Sequence, residues 1–157
     1  MKLYHGTNID FDRIDLSKSN PYKDFGRGFY LTDLEEQACA LADKRVSIWG
    51  GNKVVQVYEF DESFLLGTYL NVLIFEKPTA IWADFIYKNR SHKGAFTHEY
   101  DLVIGPIAND GVAYLLNRYE EGTMTLSELT RKLKYKKLNS QYFFGTQRSV
   151  ELLKRIS

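Results

Sequence analysis

The chain has 157 residues, enough for one domain with a sizeable core. A hydrophobic fraction of 44% and an aromatic fraction of 15% exclude a disordered or low-complexity chain. A net charge of +1 demands neither nucleic acid nor an acidic membrane as partner, and the one cysteine, Cys39, excludes an internal disulfide.

Met1-Lys2 leads straight into an expected strand over Lys2 to His5, so no secretory leader is expected, and no apolar run is long enough to cross a bilayer. The expectation is a cytoplasmic protein with no membrane partner. Residues 8–24 are polar and irregular, with a turn at Asn20-Pro21; a loop this long either folds over a ligand or is a surface excursion. In Asp24-Phe25-Gly26-Arg27-Gly28-Phe29-Tyr30-Leu31-Thr32, a glycine-hinged turn runs into a short strand. Gly26 and Gly28 permit backbone angles closed to other residues and close approach of a ligand. Tyr30 faces opposite to Phe29 and Leu31, as a core tyrosine or as a ring beside a flat ligand.

Thr32-Asp33-Leu34-Glu35 has a capping-box pattern, and the helix it opens runs to about Arg45, with Leu34, Ala38, Leu41 and Ala42 inward. Cys39 on that helix reads as a small core residue. Trp49-Gly50-Gly51-Asn52 breaks the chain, and residues 53–60 alternate as a strand, with Val55 and Val57 opposite to Gln56 and Tyr58. The stretch 64–75 is apolar and of open type, a strand followed by a turn being one reading. Pro78 suits a first helical turn, followed by a stripe of Ile81, Trp82, Phe85 and Ile86. Asp101 to Gly105 reads as a buried strand. Asn109 or Asp110 would cap a helix to about Glu121, and Thr125-Leu126-Ser127-Glu128 opens another with Leu126, Leu129 and Leu133. The five basic residues within Arg131 to Lys137 are most simply a solvated face. Gln141 to Phe144 is the last expected strand, after which Thr146 caps a C-terminal helix burying Val150, Leu152 or Leu153, and Ile156.

His5-Gly6-Thr7, at the end of the first strand, and the later Gly26-Arg27-Gly28-Phe29-Tyr30 together resemble the ADP-ribosyltransferases. The likeness is to the diphtheria-toxin-like and poly(ADP-ribose) polymerase branch, whose triad is His-Tyr-Glu. More narrowly, the chain is similar to a group of small bacterial members with Tyr-His-Gly, Asp-Phe-Gly-x-Gly-Phe-Tyr-Leu-Thr and Gly-Pro-x-Ala-Asn-Asp, the last present as Gly105 to Asp110. The resemblance covers nearly the whole chain and implies one α+β domain over 1–157, with a split, mostly antiparallel sheet and flanking helices. It implies mono-ADP-ribosyl transfer from NAD, used as co-substrate without a metal, to a macromolecular target. Kinship also implies a toxin held by an antitoxin partner, or a role in phage defence. A catalytically silent NAD-binding or interaction module is the alternative. A related RNA-repair activity that removes a 2′-phosphate fits Tyr30 poorly.

By the same resemblance, His5 would bond a ribose hydroxyl, a core histidine bonded to backbone being its plain alternative; the Gly6 peptide would meet the nicotinamide carboxamide, with Thr7 behind it, and Tyr30 would pack beside the nicotinamide. Arg27 either reaches a phosphate, which guanidinium geometry suits, or points into solvent. Asn109 and Asp110 are either a helix cap or a ligand contact at a helix N-terminus. The chain departs from the triad at its third position, where Gln141 stands at the place of the glutamate. Glutamine keeps the shape and can bond a ribose hydroxyl, yet lacks a charge worth up to ~4 kcal/mol at ~4 Å and an effective dielectric of ~20. That loss corresponds to a rate drop of roughly several hundredfold. Either the enzyme is slow, or Asp110 or Glu99 substitutes, or NAD is bound without turnover; the plainest reading is that Gln141 only starts a strand.

Overall fold

β-Branched and aromatic residues at period two build the strands of this chain, and side-chain caps at Thr or Asn open most of its helices. The computed structural model describes residues 1–134, 136 and 138–157. Its strands are β1 (Lys2–Thr7), β2 (Phe29–Thr32), β3 (Val54–Glu59), β4 (Val72–Ile74), β5 (Leu102–Pro106), β6 (Ser140–Phe144) and β7 (Lys154–Arg155). Its helices are α1 (Glu35–Trp49), α2 (Ala80–Arg90), α3 (Asp110–Glu120), α4 (Leu126–Leu133) and the single turn α5 (Gln147–Val150). The fold is α+β, with one mixed sheet ordered β4-β5-β6-β2-β1-β3-β7 and parallel only between β4 and β5.

The two faces of the sheet are covered differently. Leu3, Phe29, Leu31, Tyr58, Leu102, Ile104, Tyr142 and Phe144 share one face and form one buried cluster. Phe11, Ile14 and Leu16 of the 8–24 loop cover it, together with Phe64 and Leu65. That loop is therefore a packed strap, tied down where Arg155 bonds Asp10 and the Phe11 carbonyl, both at 2.7 Å. Phe143 and Val103 face the other way and pack with Phe25 and with Trp82, Ile86, Val112, Leu116, Leu129 and Leu133 of the helices. Each such fully buried side chain contributes about 1.5–3 kcal/mol.

Local cap chemistry places several helices as expected. Asn109 Oδ1 accepts from the Val112 N–H at 3.0 Å, Thr125 Oγ1 from Glu128 at 3.1 Å, and Thr146 Oγ1 from Ser149 at 3.3 Å. Other expectations need correction. Thr32 makes no capping box: its hydroxyl accepts from the Leu34 N–H and donates to Gln37 Oε1. In α1 only Ala38 and Ala42 are buried, and Leu34 and Leu41 are exposed, because close contact with β1 admits only small residues on the inner face. Ile81 is 75% exposed and Leu126 is also exposed, since helices α2 and α4 each turn one stripe edge outward. The 64–75 stretch divides into a 3-10 turn over Glu62–Leu65 and the short β4. The C-terminal helix ends after one turn, and β7 pairs with the open edge of β3, so Ile156 is exposed. Pairing an edge strand satisfies backbone groups that a longer helix would leave to solvent. Of the basic run Arg131 to Lys137, positions 135 and 137 lie outside the described residues. Among the described residues, no helix is long and apolar enough to cross a membrane.

Candidate active site

β1 and β3 share six register pairs, whereas β1 and β2 share one, Tyr4 with Thr32. Beyond that pair the two strands part, and the His5 imidazole takes the place of the next ladder bond, with Nδ1 2.8 Å from the Tyr30 carbonyl oxygen. A carbonyl only accepts, so Nδ1 carries the proton and the neutral ring leaves Nε2 as an acceptor. Burial is the main cause that lowers the His5 pKa to about 4; the carbonyl bond opposes it, and Arg45 and Lys23 reinforce it.

Residues opposite one another in an antiparallel pair share a face. Tyr30 stands opposite Phe143 and Thr32 opposite Gln141, so the side chains of Tyr30 and Gln141 lie on one face as diagonal neighbours. Tyr4 opposite Thr32 puts Tyr4 and Gly6 on that face and His5 on the other. The His5 ring accordingly packs on Phe29, with ring centres 4.4 Å apart, and edge-on to Phe11. Tyr30 and Gln141 thus come together, while His5 meets Tyr30 through the backbone, from the opposite side of the sheet.

Tyr30 closes its own glycine turn. Its hydroxyl accepts from the Phe25 N–H at 3.0 Å and donates to the Gly26 carbonyl at 2.6 Å. Gly26 has φ of 91°, a left-handed angle that favours glycine. Burial raises the Tyr30 phenol pKa above its ordinary value. The Lys23 ammonium sits 4.9 Å from the centre of the Tyr30 ring, a cation–π contact. Burial, then the nearby Arg45, lowers the Lys23 pKa.

Gln141 is buried, and its Nε2 donates to Asp24 Oδ2 at 3.2 Å and to the Pro106 carbonyl at 3.5 Å. Burial raises the Asp24 pKa, against the bond from Gln141 and the charges of Arg90 and Lys23. Asp24 is therefore the carboxylate in contact with Gln141. Asp110 and Glu99, the carboxylates expected there from the sequence, are exposed, one in the first turn of α3 and the other before β5. Asp24 and Lys23 end the 8–24 strap, so only the last residues of that loop join the site. Asp24 stands in the sequence at the lip of the glycine turn, and only its partner, 117 positions away, reveals what it does.

The remaining expected residues have packing or turn roles. A Cβ on Gly6 would run into the Ala38 carbonyl of α1, so the close approach of that helix requires glycine there. Thr7 Oγ1 bonds the Ile9 backbone as β1 ends. A Cβ on Gly28 would meet the Phe143 ring, and the Gly28 N–H donates to Ser19 Oγ at 3.1 Å. Arg27 is exposed and donates to the Ser17 carbonyl at 3.2 Å. Asn109 caps α3 and Asp110 follows it in the first turn. Their motif reaches the site through its other end, where Gly105 pairs with Gln141 and Pro106 supplies a carbonyl acceptor. Among the described residues, no three His, Cys, Asp or Glu side chains gather as metal ligands would.

The arrangement offers a bare imidazole nitrogen where two strands part, an aromatic ring under an ammonium, and an amide held by a carboxylate. A family model described as a protein of unknown function (DUF3990) matches residues 1–155. No curated protein and no solved structure matches the chain. With all but its last two residues matched, the chain belongs to the DUF3990 family.

Proposed function

We propose that this protein is an NAD-dependent mono-ADP-ribosyltransferase acting on a macromolecular target. The observation that carries the reading is the meeting of Tyr30 and Gln141 on one face of adjoining strands, with His5 on the opposite face and bonded to the Tyr30 carbonyl where β1 and β2 part. In such a reaction the bond between nicotinamide and ribose C1′ breaks, and its electron pair leaves on nicotinamide. The sugar becomes oxocarbenium-like, and a nucleophile on the target forms the new bond to C1′ and gives up its proton. His5 Nε2 accepts from a ribose hydroxyl; the neutral ring at pH 7 suits that role, since an imidazolium would have no acceptor to offer. Tyr30 packs beside the nicotinamide, and Lys23 and Arg45, the cations whose charges act on His5, would draw the phosphates. Gln141 Oε1 bonds the ribose while charge develops. A toxin held by an antitoxin, or a role in phage defence, is the biological setting that the resemblance to small bacterial members suggests.

A second reading, a silent NAD-binding module, draws on two observations. The Tyr30 hydroxyl uses its donor and an acceptor within its own turn, and α1 closes over Gly6. Incubating the purified protein with NAD labelled in its adenylate half and a bacterial lysate separates the two. Label on a macromolecule with free nicotinamide is the expected result. Binding seen by calorimetry without release of nicotinamide would establish the silent module, and absence of any NAD binding would reject both.

A further inference from the structure

We infer that Asp24 is the positioning residue of this site, holding the Gln141 amide with Nε2 inward and Oε1 outward so that a glutamine can do the work of a carboxylate. The inference rests on the transferase reading. Two acceptors, Asp24 Oδ2 and the Pro106 carbonyl, converge on one end of the amide, and only an NH2 group satisfies both. The amide cannot flip without setting oxygen against oxygen. Oε1 takes no hydrogen bond from the described residues, so it remains free to accept from a ligand. A carboxylate bonded to the NH2 end polarises the amide and concentrates negative charge on Oε1. The charge that position 141 lacks is thus supplied one bond further back.

Asp24 makes and breaks no covalent bond in this scheme. The electron pair of the C1′–N bond leaves with nicotinamide, the nucleophile oxygen donates a pair to C1′, and its proton passes to solvent. The groups that face Asp24 are Gln141 from β6, Tyr30 from β2, Lys23 beside it, Arg90 from α2 and Glu120 from α3. Lys23 and Arg90 favour its ionised form, and burial opposes it, which places its titration above that of an exposed aspartate.

The test is nicotinamide release, with kcat and KM measured across pH for the wild type, D24N, Q141E and the double variant. Asp24→Asn keeps a hydrogen bond to Gln141 but removes the charge. It should lower kcat about ten- to a hundredfold with KM within about twofold, and abolish the acid limb of the kcat profile. Gln141→Glu alone should bring no gain, because it sets two carboxylates in contact. The double variant should be faster than Q141E, since the amide introduced at position 24 can donate to the carboxylate introduced at position 141, while the Pro106 carbonyl opposes that carboxylate equally in both. An unchanged kcat in D24N, or a double variant no faster than Q141E, would overturn the inference while leaving the transferase reading in place. A readout without NAD separates the two further: the side-chain amide signals of Gln141 in 1H–15N spectra should move as Asp24 titrates in the wild type and stay still in D24N. Signals that ignore pH in the wild type refute the role of Asp24 whatever becomes of NAD chemistry.

Discussion

Acidification should destabilise this protein through His5, because burial lowers the pKa of its imidazole. Burial holds the folded-state pKa near 4, against 6.5 for the free side chain. Between those values the unfolded chain binds a proton that the folded chain refuses, so stability rises with pH across that window. The contribution is fully present above pH 6.5 and is lost as pH falls towards 4. Taking both pKa values through the linkage relation gives a loss of ~2 kcal/mol between pH 8 and pH 5, and ~3 kcal/mol by pH 4. Asp24 and Glu120 work in the opposite direction, since burial raises their pKa values and protonation favours the folded state. A comparison that leaves them in place isolates His5. Asn is the suitable replacement, because its amide N–H can still reach the Tyr30 carbonyl while nothing at position 5 titrates. Urea unfolding followed by circular dichroism, at steps from pH 8 to pH 4, should show the wild type losing ~2 kcal/mol more than His5→Asn by pH 5. Parallel pH profiles for the two proteins would mean that the imidazole is hydrated in the folded state, and that packing against Phe29 and Phe11 does not hold it neutral.

Two further perturbations probe the scaffold of the site. Tyr30→Phe keeps the ring but strands the Phe25 N–H and the Gly26 carbonyl, so it should cost about 1–3 kcal/mol in urea unfolding; wild-type stability in that variant would refute the clamp on the glycine turn. Asp101 is buried, which alone would raise its pKa, but bonds from Arg148, the Asn71 N–H and Thr146 hold it at about 2. Its contribution is present above pH 3.8 and is lost as pH falls towards 2, and Asp101→Asn should cost about 3 kcal/mol at pH 7, at the lower end for a broken buried pair because Arg148 is half-exposed and can rehydrate. Equal thermal midpoints of variant and wild type at neutral pH would count against it.

What the sequence determined by itself is local. Asn109, Thr125 and Thr146 could be read as caps because a side chain bonds a backbone N–H three residues on, with no need of distant partners. The glycine turn before Tyr30 and the alternation of β3 were legible for the same reason: turn angles and strand period are properties of neighbouring residues. What only the tertiary structure decided is everything set by which surfaces meet. Leu34, Leu41 and Ile81 looked like core and lie outside, because a helix stripe does not reveal how closely its neighbour approaches. The end of the chain left its helix to pair with β3, because an open sheet edge elsewhere competed for its backbone. The single register pair between β1 and β2 set His5 on the face opposite Tyr30 and Gln141. Asp24 became the partner of Gln141 across 117 positions, because hydrogen bonds are made by proximity in space, which no spacing along the chain encodes.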